Sequence, residues 1–471
     1  MKTDRLIVLA SCAALAAAQA QAKKPNVLFL IVDDLRTELG CYGAPQVKTP
    51  NIDRLARNST VFANAYCNVP VSGASRASFL TGVYPKFPER FIDADTYAQT
   101  DAPWAIPISQ TFRDQGYYAT STGKVFHNTD DHEGTWSEAP WAISPNSKDW
   151  AEYNKWELWL NDESGKHLNP KNNRGPYCES ADVPDSLYED NKIARKAISD
   201  LQRLQNSDKP FFMAVGFRRP HLPFNAPKKY WDLYKREEIV TADNRYLPED
   251  LPKQVYSSRE IFQYTQTGNV DSDDFHREAR HAYYACVSFV DAQIGLVLDE
   301  LDNLGLADNT IVVLVGDHGW HLGEHTFWGK HNLMNHATRA PLIVRMPGTS
   351  DGVSRGIVEF VDIYPTLCQA CKISCPKSVQ GKSFLPLLKD PESKGKAFAF
   401  IQWGKGTNVV DGNYSYAEWT DKERRSAGEM LFDHSVDPEE NTNVASQTRY
   451  RKQTDRFRKA IHQFRTRILK D

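Results

Sequence analysis

Three uninterrupted apolar runs, Val27–Val32, Pro210–Phe217 and Thr310–Val315, narrow what this chain can fold into. A strand with one wet face alternates apolar and polar residues. A run that does not alternate must be buried on both faces, as in a parallel sheet covered by helices. Tyr117–Thr120 and Pro341–Val344 read as two shorter strands. Helical spacing lies between the strands, at Ile52–Arg57, Ile108–Gln115, Ser186–Leu204 and Ile363–Cys371. The longest such stretch, Phe275–Leu304, carries Tyr283, Val287, Val290, Ile294, Val297 and Leu301 at helical intervals. Strands separated by helices predict an α/β domain, a large and mostly parallel sheet sandwiched by helices. At 471 residues the chain exceeds one simple core. Composition shifts after about Lys377. There Ala397–Trp403, Tyr414–Trp419 and Met430–His434 read as antiparallel strands and Arg449–Leu469 as a basic helix. We expect a catalytic domain over residues 23–376 and a smaller α+β subdomain over 377–471.

In such sheets the reactive residues gather beyond the carboxyl ends of the strands. Here four of the strands run into polar chemistry: Asp33-Asp34, Lys124 with His127, His221, and Asp317-His318. Asp33, Asp34 and Asp317 would be brought close, and like charges that near need a cation. Carboxylate oxygens favour a hard one, calcium or magnesium. Taken singly, Asp33-Asp34 also reads as a solvated turn or cap, and His127, His221 and His318 as packing or surface histidines. A second feature is Ser72-Gly73-Ala74-Ser75-Arg76, with Leu80-Thr81-Gly82 beyond it. If a helix starts at Ser72, its first N–H groups meet an oxyanion and Arg76, one turn on, can fork onto the same anion. The plainer alternative is a helix that Ser72 caps, with Phe79-Leu80 packed inward.

The net charge of −3 gives no sign of a nucleic-acid partner, so a polyanionic substrate must be met by local basic residues. Residues 1–22 read as an export signal: Lys2 and Arg5, an apolar run Leu6–Ala18, then Ala20-Gln21-Ala22. That run is too short and alanine-rich to span a bilayer, so no transmembrane segment is expected. Leu9-Ala10-Ser11-Cys12 offers a competing lipobox, which would make Cys12 a lipidated N-terminus. Either way the mature chain is expected to be exported, periplasmic or secreted. Of the cysteines beyond the signal, Cys368, Cys371 and Cys375 crowd together, and a local disulfide is expected rather than a metal site. Residues 128–185, rich in Trp, Asp, Asn and Pro, read as an insertion over the active-site face. Trp136, Trp141, Trp150, Trp156 and Trp159 would there stack on sugars or form a small core of their own.

The Ser72 stretch resembles the formylglycine signature of the type I sulfatases: Cys or Ser, any residue, Pro or Ala, any residue, Arg, then Leu-Thr-Gly. Ser72 is the serine variant and Ala74 stands for the commoner proline. The resemblance extends through Val32-Asp33-Asp34-Leu35-Arg36, Gly40-Cys41-Tyr42-Gly43, Thr49-Pro50-Asn51-Ile52-Asp53, Gly123-Lys124-Val125-Phe126-His127, Arg219-Pro220-His221-Leu222-Pro223-Phe224, Asp317-His318-Gly319-Trp320 and Leu322-Gly323-Glu324-His325. It covers about residues 25 to 370 and looks most like the iduronate-2-sulfatase branch, which has His where other sulfatases have Asn at the place of His318. The resemblance implies an alkaline-phosphatase-like fold. It implies a calcium ion held by Asp33, Asp34, Asp317, His318 and modified Ser72. It further implies that a maturase oxidises Ser72 to formylglycine (3-oxoalanine), whose hydrate attacks sulfur. By the same resemblance Arg76 and Lys124 orient that nucleophile and neutralise sulfate, and His127 assists sulfate loss. His221 and Lys330 contact the bridging oxygen, and Asp317 is the base. Gly406-Thr407-Asn408-Val409 departs from an Arg-Thr pair that related enzymes often carry there.

The expected function is an exported sulfatase acting on sulfated carbohydrates or polysaccharides, with a 2-O-sulfated uronic acid suggested by the branch. The alternatives are a phosphate or phosphonate ester hydrolase on the same scaffold, and a non-catalytic binder of sulfated glycans whose Ser72 is unmodified.

Overall fold

Seven strands form the main sheet: β1 (Asn26–Val32), β2 (Thr60–Phe62), β3 (Tyr118–Gly123), β4 (Phe211–Phe217), β5 (Thr310–Gly316), β6 (Leu342–Arg345) and β7 (Gly352–Ser354). Their order is β7-β2-β6-β5-β1-β4-β3. This computed structural model describes residues 24–143, 159–256, 258, 260–420 and 426–468. The signal segment, Cys12, Trp150 and Trp156 lie outside the described residues. β5, β1, β4 and β3 are parallel neighbours. β6 runs antiparallel to both β5 and β2. The apolar run Pro341–Val344 is therefore a strand of reversed direction, which hydrophobicity alone does not encode.

Successive side chains in β1 go to opposite faces. Leu28, Leu30 and Val32 enter one core, while Val27, Phe29 and Ile31 enter the other, and all are fully buried. The helices are α1 (Pro50–Ala56), α2 (Ser72–Thr81), α3 (Ile108–Asp114), α4 (Glu189–Leu204), α5 (Asp273–Asn303) and α6 (Ile363–Ala370). Ile52 of α1, Ile193 of α4 and Val287 of α5 fill the first core. Phe79 of α2, Phe112 of α3 and Leu367 of α6 fill the second. The unbroken apolar strands thus reflect two covered faces.

The C-terminal part is an antiparallel sheet of β8 (Ala399–Trp403), β9 (Gly406–Val410), β10 (Tyr414–Thr420) and β11 (Ser426–Asp433). Against it packs α7 (Arg451–Ile468), whose Phe457 and Ile461 meet Val409, Tyr416 and Leu431. β9 carries no strand signal in the sequence, because Gly406-Thr407-Asn408 has none of the apolar character that marks a strand.

Two expectations change. Among the described tryptophans of residues 128–185, Trp136 is buried in the second core and stacks on Phe212, ring centres 6.3 Å apart. Trp141 runs along β3, its main-chain N–H donating to Ser121 O at 2.9 Å, and Trp159 donates its indole N–H to Pro176 O at 3.0 Å. Residues 137–141 thus line the sheet edge at β3, and Trp141 and Trp159 pack against the first core. The expected local disulfide is not formed either: Cys368, Cys371 and Cys375 are free thiols.

Candidate active site

The ends of four adjacent strands deliver the polar residues to one place. Asp33 N donates to Phe217 O at 3.2 Å, Asp317 N to Val32 O at 3.1 Å, and Lys124 N to Gly216 O at 2.8 Å. The residue after each strand is thereby fixed to its neighbour's last carbonyls. Asp34 has a φ of 59°, a left-handed conformation that Asp tolerates better than most residues. Its N–H donates to Asp317 Oδ1 at 3.1 Å. Asp33, Asp34, Asp317 and His318 are fully buried, with one ligand atom from each all within 4.8 Å of one another.

Ser72 opens α2 behind an extended Val71, with no side-chain cap. The capping alternative therefore fails: the hydroxyl instead meets Asp33 Oδ1 at 2.9 Å and His318 Nε2 at 3.0 Å. Arg76, one turn on, is entirely buried. Its Nε donates to Asp317 Oδ2 at 2.9 Å, its Nη2 lies 3.5 Å from Asp33 Oδ1, and its Nη1 donates to the carbonyls of Lys124 and Val125. Arg76 thus grips the acids and the loop after β3. Lys124 Nζ pairs with Asp33 Oδ2. Lys330, after the short strand Trp328–Gly329, pairs with Asp34 Oδ1 at 2.8 Å. His221 Nε2 lies 3.9 Å from Asp34 Oδ2. His127 sits among the same charges, where Lys124 and Asp33 both act on its imidazole.

Three residues at the site carried no usable signal in the sequence. Ser75 Oγ donates to Asp317 O at 2.5 Å, and Tyr283 of α5 donates to Asp34 O at 2.8 Å. Glu260, from a stretch that reads as a charged surface loop, puts Oε1 3.2 Å from Lys330 Nζ and 3.5 Å from His221 Nε2. Only an arrangement in space could have found them.

The electrostatics of the cluster suit a cation. Burial raises the Asp33 carboxyl, but Lys124, His221 and Arg76 outweigh it and hold Asp33 well below the usual range. Asp34 goes the other way: burial, with Asp33, Glu260 and Asp317 nearby, pushes it well above, against the pull of Lys330. Burial and Asp33 likewise push Asp317 up to about 6. Burial, then Lys330, holds His318 well below its ordinary value and so neutral. His318 Nδ1 lies 3.0 Å from Gly319 O, which can only accept, so Nε2 keeps its lone pair toward the acids. Three carboxylates and one neutral imidazole nitrogen, buried together, fit a divalent cation. Asp34, His221 and Glu260 also lie close together, but Lys330 already bridges Asp34 and Glu260.

Comparison with known proteins decides the family. A model described as Sulfatase matches residues 25–373. The chain belongs to the sulfatase family. It is a sulfuric ester hydrolase with an alkaline-phosphatase-like fold. A second model, N-sulphoglucosamine sulphohydrolase, C-terminal, matches residues 323–467. Iduronate 2-sulfatase of Mus musculus is 35% identical over 405 residues, covering 76% of this sulfatase and 71% of the relative. A sulfatase of Formosa agariphila is 31% identical over 449 residues, covering 92% and 85%. Among solved structures, a phosphonate monoester hydrolase from Silicibacter pomeroyi has a TM-score of 0.75 at 22% identity, covering 94% of this chain and 95% of its own. That last likeness concerns the fold alone.

Proposed function

We propose that this sulfatase removes sulfate from sulfated carbohydrates outside the cytoplasm, using a formylglycine made from Ser72 and a calcium ion. A 2-O-sulfated uronic acid is the proposed substrate, a reading supported by the likeness to iduronate 2-sulfatase. The observation that carries the proposal is the place of Ser72: first residue of α2, hydroxyl between Asp33 and His318, beside Arg76. A serine that only capped a helix would not sit among four buried ligand groups.

Asp33, Asp34, Asp317, His318 and the oxygen of residue 72 would hold the calcium. That ion would supply positive charge for an ionised nucleophile and for the sulfate oxygens. The aldehyde hydrate at position 72, made by a maturase, would supply the nucleophile, because an unmodified serine hydroxyl is a weak one. Arg76 and Lys124 fix the acids and place positive charge where sulfate oxygens gather. Asp317, held by Arg76 and the Asp34 N–H, is the proposed base for the hydrate. His221 and Lys330 flank the bridging oxygen, and one of them delivers the proton that the leaving alcohol needs. His127 assists the later loss of sulfate. Residues 23–376 are proposed as the catalytic domain and 377–471 as a subdomain bordering the substrate. Residues 1–22 are proposed as the export signal.

Mass spectrometry of the residue-72 peptide from the native host tests this: formylglycine is about two mass units lighter than serine. Matured protein should release sulfate from an aryl sulfate far faster than phosphate from an aryl phosphate, and Ser72→Ala should abolish turnover. Full activity in that variant refutes the nucleophile.

A further inference from the structure

Glu260 has a carboxylate oxygen to spare. Oε1 faces Lys330 and His221, whereas Oε2 is buried and has no hydrogen-bond partner among the described residues. A buried acceptor without a donor is costly, so a donor brought to it by a ligand would be favoured there. The chain is built to hold Glu260 there. Gly329 has a φ of +150°, and a Cβ on it would meet Ser258 Oγ at 2.1 Å and Glu260 Cβ at 3.3 Å. Glycine therefore lets the backbone around Ser258 dock on the strand, where Trp328 N donates to Ser258 O at 3.1 Å. The neighbouring His331, whose imidazole feels the Glu260 charge, stacks on Trp403 of β8 with ring centres 5.2 Å apart and planes at 29°.

A carboxylate acceptor suits a sugar ring, whose hydroxyls donate. It suits a second anion badly, since carboxylate and anion repel. We propose that Glu260 determines specificity for the departing sugar, its Oε2 accepting a hydrogen bond from the hydroxyl on the carbon next to the sulfated one. This rests on the reading of His221 and Lys330 as the contacts of the bridging oxygen. Glu260 touches both, so the next oxygen along the ring falls to it. A neutral hydroxyl edge of the sugar is selected at this point, and a carboxylate or second sulfate is turned away.

The test compares kcat/KM for the sulfated monosaccharide turned over fastest with that for its counterpart lacking the adjacent hydroxyl, with nitrophenyl sulfate as a hydroxyl-free probe. In the native enzyme the hydroxyl should be worth about tenfold or more. In Glu260→Ala the ratio should fall to about one, and in Glu260→Gln, which keeps one acceptor, it should lie between. General damage to Lys330 or His221 slows both substrates alike and cancels in the ratio. A native ratio of about one, or an unchanged ratio in Glu260→Ala, overturns the assignment alone. If Glu260→Ala does not fold, the native ratio and Glu260→Gln decide. Turnover of nitrophenyl sulfate with no sulfated sugar accepted overturns the carbohydrate reading, and this assignment with it.

Discussion

Arg76 binds two carboxylates and two main-chain carbonyls without reaching solvent. Only a planar fork with several donors can do this; an ammonium group is a single point of charge. Arg76→Lys should therefore cost about 3 kcal/mol or more of stability, the effect of opening a buried ion pair. It should also lower aryl-sulfate turnover by roughly a hundredfold, the scale of losing one placed donor. Denaturant unfolding and steady-state kinetics check both, and a lysine variant of native stability would show the fork to be dispensable. The acids make a second prediction. With Asp34 and Asp317 held above their usual range, a bound cation should add stability, about 2.7 kcal/mol at a hundredfold excess over its Kd. Excess chelator should lower the melting temperature by a few degrees, and calcium should restore it better than magnesium. A melting curve indifferent to both would remove the cation from the site. Most of these residues were legible beforehand because each ends a strand or opens a helix, where local pattern betrays position. Glu260 was not, since its partners Lys330 and His221 come from distant parts of the chain and nothing in its own neighbourhood is periodic.

Elements hold this site through close backbone contact, most tightly at Gly216 near the end of β4. A Cβ there would lie 1.8 Å from Lys124 O and 2.1 Å from Lys124 C. Backbone cannot rotate aside as a side chain can, so Gly216→Ala must push β4 and the loop after β3 apart. That moves Lys124 from Asp33 and takes its carbonyl from Arg76. We expect a loss of about 1–3 kcal/mol, as for overpacking elsewhere, and at least a roughly tenfold fall in turnover from misplaced groups. Urea titration beside an aryl-sulfate assay would reveal it; native values in both would mean that the strands part without consequence. The elements themselves were largely legible. β1, β4 and β5 follow from apolar runs, and α5 from its helical spacing. What escaped was the direction of β6, which depends on neighbours, and β9, whose Thr407 and Asn408 are buried by hydrogen bonding: Asn408 Nδ2 donates to Leu333 O at 2.6 Å and Arg465 Nε to Thr407 Oγ1 at 3.2 Å. Polar residues satisfied by distant partners look like loop in a sequence.

At the scale of the molecule, the C-terminal sheet is tied to the main body through Lys396. Its Nζ lies 2.5 Å from Glu359 Oε2 and 2.6 Å from Asp362 Oδ1, both buried, and Phe400 N donates to Glu359 Oε1 at 2.9 Å. Burial raises Asp362 to about 6 despite Lys396, and Asp362 and Glu359 hold the lysine above its ordinary value. The signs differ. Lys396 contributes stability that is present throughout the neutral range and lost only as pH rises past the unfolded lysine value. An acid raised on folding favours the native state at low pH, and that advantage drains away between its unfolded value of 3.8 and its folded value of about 6. In Lys396→Met the folded value of Asp362 must rise further, so the drain continues above pH 6 where the native protein's has stopped. The variant should therefore be less stable by about 3 kcal/mol near pH 8, the scale of an uncompensated buried charge, and by distinctly less near pH 5.5. Urea unfolding at the two pH values measures the difference. A deficit equal at both would mean that the lysine stem's packing, rather than its charge, joins the two parts of this sulfatase.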